Sequence, residues 1–192
     1  MALIWESSYG LVSVDEICSK AGVLKGSFYH FFPSKAALAV AAFDENWEQK
    51  QIDYDRIFSS QYSPQERFVR YMRYLYDRQV SKKAIFGRVC GCPYASLGSE
   101  LSTQDESLRH VSERNAERTW RYFESALREA VAEGSLPPAK PEAIAEKARE
   151  IYAFVIGTLL QAKIQNSLDG LLNAQPTLFR LIGFKESVVV AV

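Results

Sequence analysis

The chain has 192 residues, enough for one helical core or for a small domain joined to a larger one. Its 47% apolar and 24% charged residues exclude a disordered chain, and 23 basic against 23 acidic side chains leave no net charge to recruit nucleic acid or membrane. Cys18, Cys90 and Cys92 are too few for a disulfide framework, no basic-then-apolar leader opens the chain, and no apolar run reaches the ~18 residues of a membrane span, so the expected compartment is the cytoplasm.

Glycine and proline are sparse and separate long periodic segments, which predicts an all-α protein. Met1 to Ser7 reads as the end of a helix that starts earlier. Ser13 then caps a helix, with Glu16 three residues on completing a capping box. Val14, Ile17, Cys18 and Ala21 give that helix one apolar face, and Gly22 stops it. A short helix over Lys25 to Phe31 ends at Pro33, and Ser34 caps another from Lys35 to about Gln51. Ser63-Pro64-Gln65-Glu66 combines a cap, a proline at the first helical position and a glutamate at the third, predicting a helix to about Ser81. Gly87, Gly91 and Pro93 interrupt the chain before a short helix from Tyr94 to Leu101. Ser102 or Thr103 caps a long helix over about 104–133, ended by Gly134. After Pro137-Pro138, Pro141 opens a helix to about Ser167, and a last helix covers about 176–182. The closing Val188 to Val192 fits a packed tail or a frayed end equally well.

Residues 13–29 have the mechanics of a helix-turn-helix: two short helices across a glycine-bearing turn, with Ile17, Ala21, Val23 and Phe28 as the wedge between them. Ser27, Tyr29 and His30 then point outward from a helix short enough to enter a major groove. The run Gly22-Val23-Leu24-Lys25-Gly26-Ser27-Phe28-Tyr29-His30-Phe31-Phe32-Pro33-Ser34-Lys35-Ala36-Ala37-Leu38 resembles the signature of TetR/AcrR-family regulators, G-V-S-K-G-(S/T)-(L/F)-Y-x-H-F-P-(S/N)-K-x-x-L. The likeness covers residues 3 to 43, and Gly91 to Leu101 resembles one branch of the same family.

The resemblance implies a three-helix helix-turn-helix domain at 1–45 and a helical effector-binding and dimerisation domain at 46–192. It implies Ser13, Lys25, Tyr29 and Lys35 as phosphate contacts, with Ser27 and His30 against base edges. Ser8, Leu24 and Phe31 depart from the family's usual glycine, serine or alanine, and histidine. Leu24 cannot cap the recognition helix, and Phe31 cannot donate to a phosphate. The family also carries a basic arm and most of a first helix ahead of this start. Lys20, Lys25 and Lys35 are the only cations in residues 1–40, against Glu6, Asp15 and Glu16, so phosphate neutralisation has little to draw on.

Ile151 to Leu160 is apolar all round, which predicts burial on every side, against a second subunit as well as the chain's own core. The expected dimer face therefore joins the helices at about 104–133 and 141–167 in a four-helix bundle. Tyr54, Phe58, Phe68, Tyr71, Met72, Leu75, Tyr76 and Tyr94 form aromatic and apolar walls suited to a small-molecule pocket, though such a stripe also serves as plain core. Cys90 and Cys92 read as buried thiols or as a thiol sensor; no metal signature accompanies them. No catalytic constellation emerges and no cofactor is implied. The expected function is a ligand-responsive regulator, a repressor that binds operator DNA as a homodimer and is released by a small, apolar or aromatic effector. The alternative is a small-molecule or thiol-redox sensor with impaired DNA binding.

Overall fold

The computed structural model describes Leu3 and residues 9–185. The expectations for Met1 to Ser7, Ser8 and Val188 to Val192 lie outside the described residues, Leu3 aside. Among the described residues the regular structure is entirely helical: α1 (Val14–Ala21), α2 (Lys25–Phe31), α3 (Lys35–Ile57), α4 (Pro64–Phe86), α5 (Pro93–Leu101), α6 (Glu106–Ala132), α7 (Pro141–Gln165), α8 (Asp169–Leu172) and α9 (Gln175–Ile182). None of the described helices is long and apolar enough to cross a membrane.

The helix boundaries follow local chemistry. Ser13 and Glu16 form the reciprocal capping box at α1, and Ser63 and Glu66 form it again at α4, where Pro64 occupies the first turn. Gly22 ends α1 in the left-handed region (φ 67°), so that the next amide can turn back to the Cys18 carbonyl. Two helices run past the expected ends. Nothing breaks α3 before Ile57, and α4 continues through Lys82-Lys83-Ala84 until Gly87 adopts a left-handed φ of 70°. The four-residue α8 has no counterpart among the expected elements.

The chain divides into two compact units. The first comprises residues up to Ile52 together with Cys92–Asn115; the second comprises Asp53–Gly91 and the chain from Ala116 onward. Both α3 and α6 therefore contribute to each unit. The expected division at residue 45 falls inside α3. In the first unit Phe43 of α3 packs against Tyr94, Leu97, Leu108 and Val111, and Tyr94 donates its hydroxyl proton to the Phe43 carbonyl at 2.8 Å. In the second unit, α4, α6, α7 and α9 bury an apolar core that includes Phe68, Phe123, Leu127, Ile151, Val155 and Leu178.

Candidate functional site

The reading head is α1, the turn at Gly22 and α2. Phe28 and Cys18 are buried on its inner side, whereas Ala21 and Val23 are exposed, Val23 at 45%. This corrects the expected wedge. A seven-residue helix presents only one large apolar side chain inward, and Phe28 fills that position. Lys25, Ser27, Tyr29 and His30 of α2 are all exposed, with the Tyr29 ring edge-on to Phe28 at 5.1 Å. Leu24 supplies no cap, so the first amides of α2 lack a side-chain acceptor. Amides in that position are suited to a phosphate oxygen.

Two of the expected phosphate contacts have structural duties. The Ser13 hydroxyl donates to the Glu16 carboxylate at 2.9 Å and accepts the Glu16 amide at 3.1 Å. Lys35 turns inward: its ammonium donates to the carbonyls of Tyr9 (3.0 Å) and Val12 (2.9 Å) and lies over the Tyr9 ring. It thereby ties the segment before α1 to the start of α3. Lys25, by contrast, pairs with Asp15 at 2.9 Å in full view of solvent, a partner it can exchange at little cost.

The aromatic stripe is packed ring against ring within the second unit. Tyr54 meets Tyr71 at 5.6 Å, Phe58 meets Phe68 at 6.0 Å, and Tyr71 meets Phe123 at 5.2 Å. Met72 and Leu75 are buried, and Tyr76 is half-buried. Tyr94, expected beside these residues, belongs to the other unit and packs on Phe43, because α5 joins α3 and α6 there. Cys90 is buried, and burial pushes its thiol above the ordinary range, the opposite of an activated thiolate. Cys92 is half-buried at the start of α5.

The profile of bacterial regulatory proteins of the tetR family matches residues 1–42, and that of a tetracyclin repressor-like C-terminal domain matches residues 69–187. The chain belongs to the TetR family of transcriptional regulators. The transcriptional regulator AcuR of Cereibacter sphaeroides is 30% identical over 172 residues, covering 86% of this chain and 74% of AcuR. The HTH-type transcriptional repressor NemR of Escherichia coli K12 is 28% identical over 164 residues, 85% of this chain and 79% of NemR. The crystal structure of the reduced form of Escherichia coli NemR superposes with a TM-score of 0.78 at 26% identity, over 97% of this chain and 94% of that one. The regulatory protein TetR from Rhodobacter sphaeroides gives 0.79 at 27% identity, over 94% and 93%. In this TetR-family chain the exposed residues of α2 stand where the family signature was read.

Two features of the second unit have no place in the sequence reading. An open groove of about 710 Å³ runs between the end of α3 and the outer side of α4, and none of the eight expected effector-lining residues lines it. Its walls include Arg56, Arg70, Arg73, Arg78 and Lys82. The charged row Glu66, Arg70, Arg73 and Asp77, at helical spacing, is the signal that could have pointed to it. The second is Gln79, buried inside α4, whose side-chain amide donates to the Gly91 carbonyl and accepts the Gly91 amide, both at 3.0 Å. Gly91 has a φ of 70°, and a Cβ there would meet the Leu159 carbonyl at 3.3 Å and Lys163 at 3.2 Å. Glycine is required by both conformation and space.

Proposed function

We propose that this TetR-family regulator is a cytoplasmic, homodimeric repressor that binds an operator through α2 and releases it when a small molecule binds the second unit. The observation that carries the DNA reading is the exposure of Lys25, Ser27, Tyr29 and His30 along α2. Lys25 and Tyr29 reach phosphates, Ser27 and His30 reach base edges, and Lys35 and Ser13 hold the frame. The word repressor in the name of NemR supports the sign of regulation.

The dimer reading rests on α7. Its inner row, Ile151, Val155 and Leu159, is buried, but Ala153, Leu160 (51% exposed) and Ile164 (74%) form an uncovered apolar row on the other side. The expectation of burial all round is thus met on one side only within a single chain. Gly157 lies in the same row, with open space where its Cβ would be, as close approach of a second helix requires. The outer side of α6 in this unit carries Arg121, Ser125 and Arg128 instead, so α7 is the apolar contributor.

The deciding experiment selects an operator from a random duplex library and measures its affinity by fluorescence anisotropy. Specific binding that falls at least tenfold in Tyr29→Ala and in His30→Ala, with unchanged circular dichroism, supports the reading. Failure to enrich any duplex sinks it.

A further inference from the structure

We propose that the groove between α3 and α4 is the effector site, and that its ligand is a small amphiphilic oxyanion: an apolar body bearing a carboxylate or phosphate. The inference rests on the reading of the chain as an effector-responsive regulator.

Space is the first argument. The aromatic stripe on the inner side of α3 and α4 is filled by its own rings, whereas the groove on their outer side offers about 710 Å³. That volume lies in the range of small-molecule sites, roughly 300–1,000 Å³. Charge is the second. In a chain with no net charge, the groove gathers five cations against three carboxylates, two of which pair with the groove's own Arg73 and Arg78. Glu66 accepts the backbone amide and the hydroxyl of Ser63, Asp77 holds Arg73 at 2.9 Å, and Asp53 stands 3.8 Å from Arg78. Among the described residues Arg56 and Arg70 form no ion pair within 4 Å, and the Arg70 charge acts on the nearby Glu66 carboxylate.

Preorganisation is the third. The Arg70 guanidinium lies over the Tyr62 ring with its carbon 3.5 Å from the centroid, a cation–π contact that restrains the side chain. A guanidinium restrained in this way loses less side-chain entropy when it pairs with a carboxylate or phosphate. Arg78 donates to the Tyr74 hydroxyl at 2.7 Å, which orients its guanidinium along the groove wall. Ile57, Val69 and the Tyr74 ring supply apolar surface for the rest of the ligand. Asp53 and Arg56 sit near the end of α3, the helix whose earlier residues, Lys35 to Ile52, belong to the unit that carries the reading head.

The test is titration calorimetry on the full chain with decanoate and decyl phosphate as probes, against decanol and decyltrimethylammonium. Binding of either anion at least tenfold tighter than decanol is expected, and the two anions distinguish carboxylate from phosphate. The double variant Arg56→Gln/Arg70→Gln should weaken the anion at least tenfold. Arg109→Gln, a cation of α6 paired with Glu106 and Glu113, should leave it unchanged. A diazirine-bearing decanoate should label peptides covering 53–57 and 66–82, a readout that needs no variant. Equal binding of decanol, insensitivity to the double variant, or labelling of the aromatic stripe around Tyr71 and Phe123 would overturn the site. Anisotropy of the operator complex separates this proposal from the reading beneath it. A probe that labels the groove and leaves DNA bound removes the effector role while the site stands. A compound that releases DNA but labels elsewhere keeps the effector reading and rejects this groove.

Discussion

Lys35 and Lys25 are both lysines of the family signature, yet their ammonium groups meet different surroundings, and so their removal should have different consequences. Lys35 donates two part-buried hydrogen bonds, to the carbonyls of Tyr9 and Val12. Lys35→Met should therefore lower stability by about 2 kcal/mol, given ~1.5–3 kcal/mol for a charge-assisted bond and partial access of water to the carbonyls. The salt dependence of operator binding should be unchanged. Lys25 has an exposed partner that a phosphate can displace. Lys25→Gln should leave stability within about 0.5 kcal/mol and reduce the slope of log K against log salt by about one. Urea melts and anisotropy at several salt concentrations distinguish the two, and equal slopes for both variants would reject the assignment. Gln79 is buried, and Gln79→Ala strands both polar groups of Gly91. A loss of about 2–4 kcal/mol is expected in a urea melt, from ~1–3 kcal/mol for each unsatisfied group. A loss below 1 kcal/mol would show that water reaches the loop.

Charge and capping together hold the start of α4. Ser63 and Glu66 fix its first turn, and Arg67 in the next position is 1% exposed, donating to the Tyr62 carbonyl and to Glu129 of α6. The Arg67 bond holds the Glu129 carboxyl below its ordinary range, and the Ser13 and Ser63 caps do the same for Glu16 and Glu66. For a carboxylate with a depressed folded pKa, the stabilisation is complete above the unfolded value of ~4.3 and is lost as pH falls through the folded one. Stability should thus be flat near neutrality and fall from about pH 4.5 downward. In Glu129→Gln the acid limb should be shallower, and the cost at pH 7 should be about 1–2 kcal/mol, less than for a fully buried pair because Glu129 is half-exposed. Urea midpoints from pH 7 to pH 3 check this; an identical acid limb in the variant contradicts it. The extent of these helices was partly legible. Caps and left-handed glycines act over about four residues, so Ser13, Ser63, Gly22 and Gly87 mark ends that sequence alone can locate. The continuation of α3 to Ile57 was harder to see, because a polar, unbroken stretch bears no sign of where it stops.

For the molecule as a whole, the uncovered row on α7 predicts assembly. Leu160→Glu combined with Ile164→Glu should turn a dimer into a monomer in sedimentation at micromolar concentration, and operator affinity should fall at least tenfold because both half-sites must be read together. The fold of each variant chain should persist, since both side chains are exposed in the single subunit. A double variant that remains dimeric would place the interface elsewhere. The all-α class, the positions of the long helices and the reading head follow from residues adjacent in the chain: cap pairs, helix-breaking glycines and prolines, and a signature confined to residues 22–38. Other features depend on distant neighbours. Tyr94 leaves its expected companions for Phe43, 51 residues away, and Lys35 reaches carbonyls 23 and 26 residues earlier. The stripe of Tyr54, Phe58 and Tyr71 becomes solid core because Phe123 of α6 closes on it. Helical periodicity tells which side chains share a face, but not whether that face meets another helix or open space. Only the packing of α6 against α3 and α4 decided that the aromatic side is filled and the arginine-lined side is open.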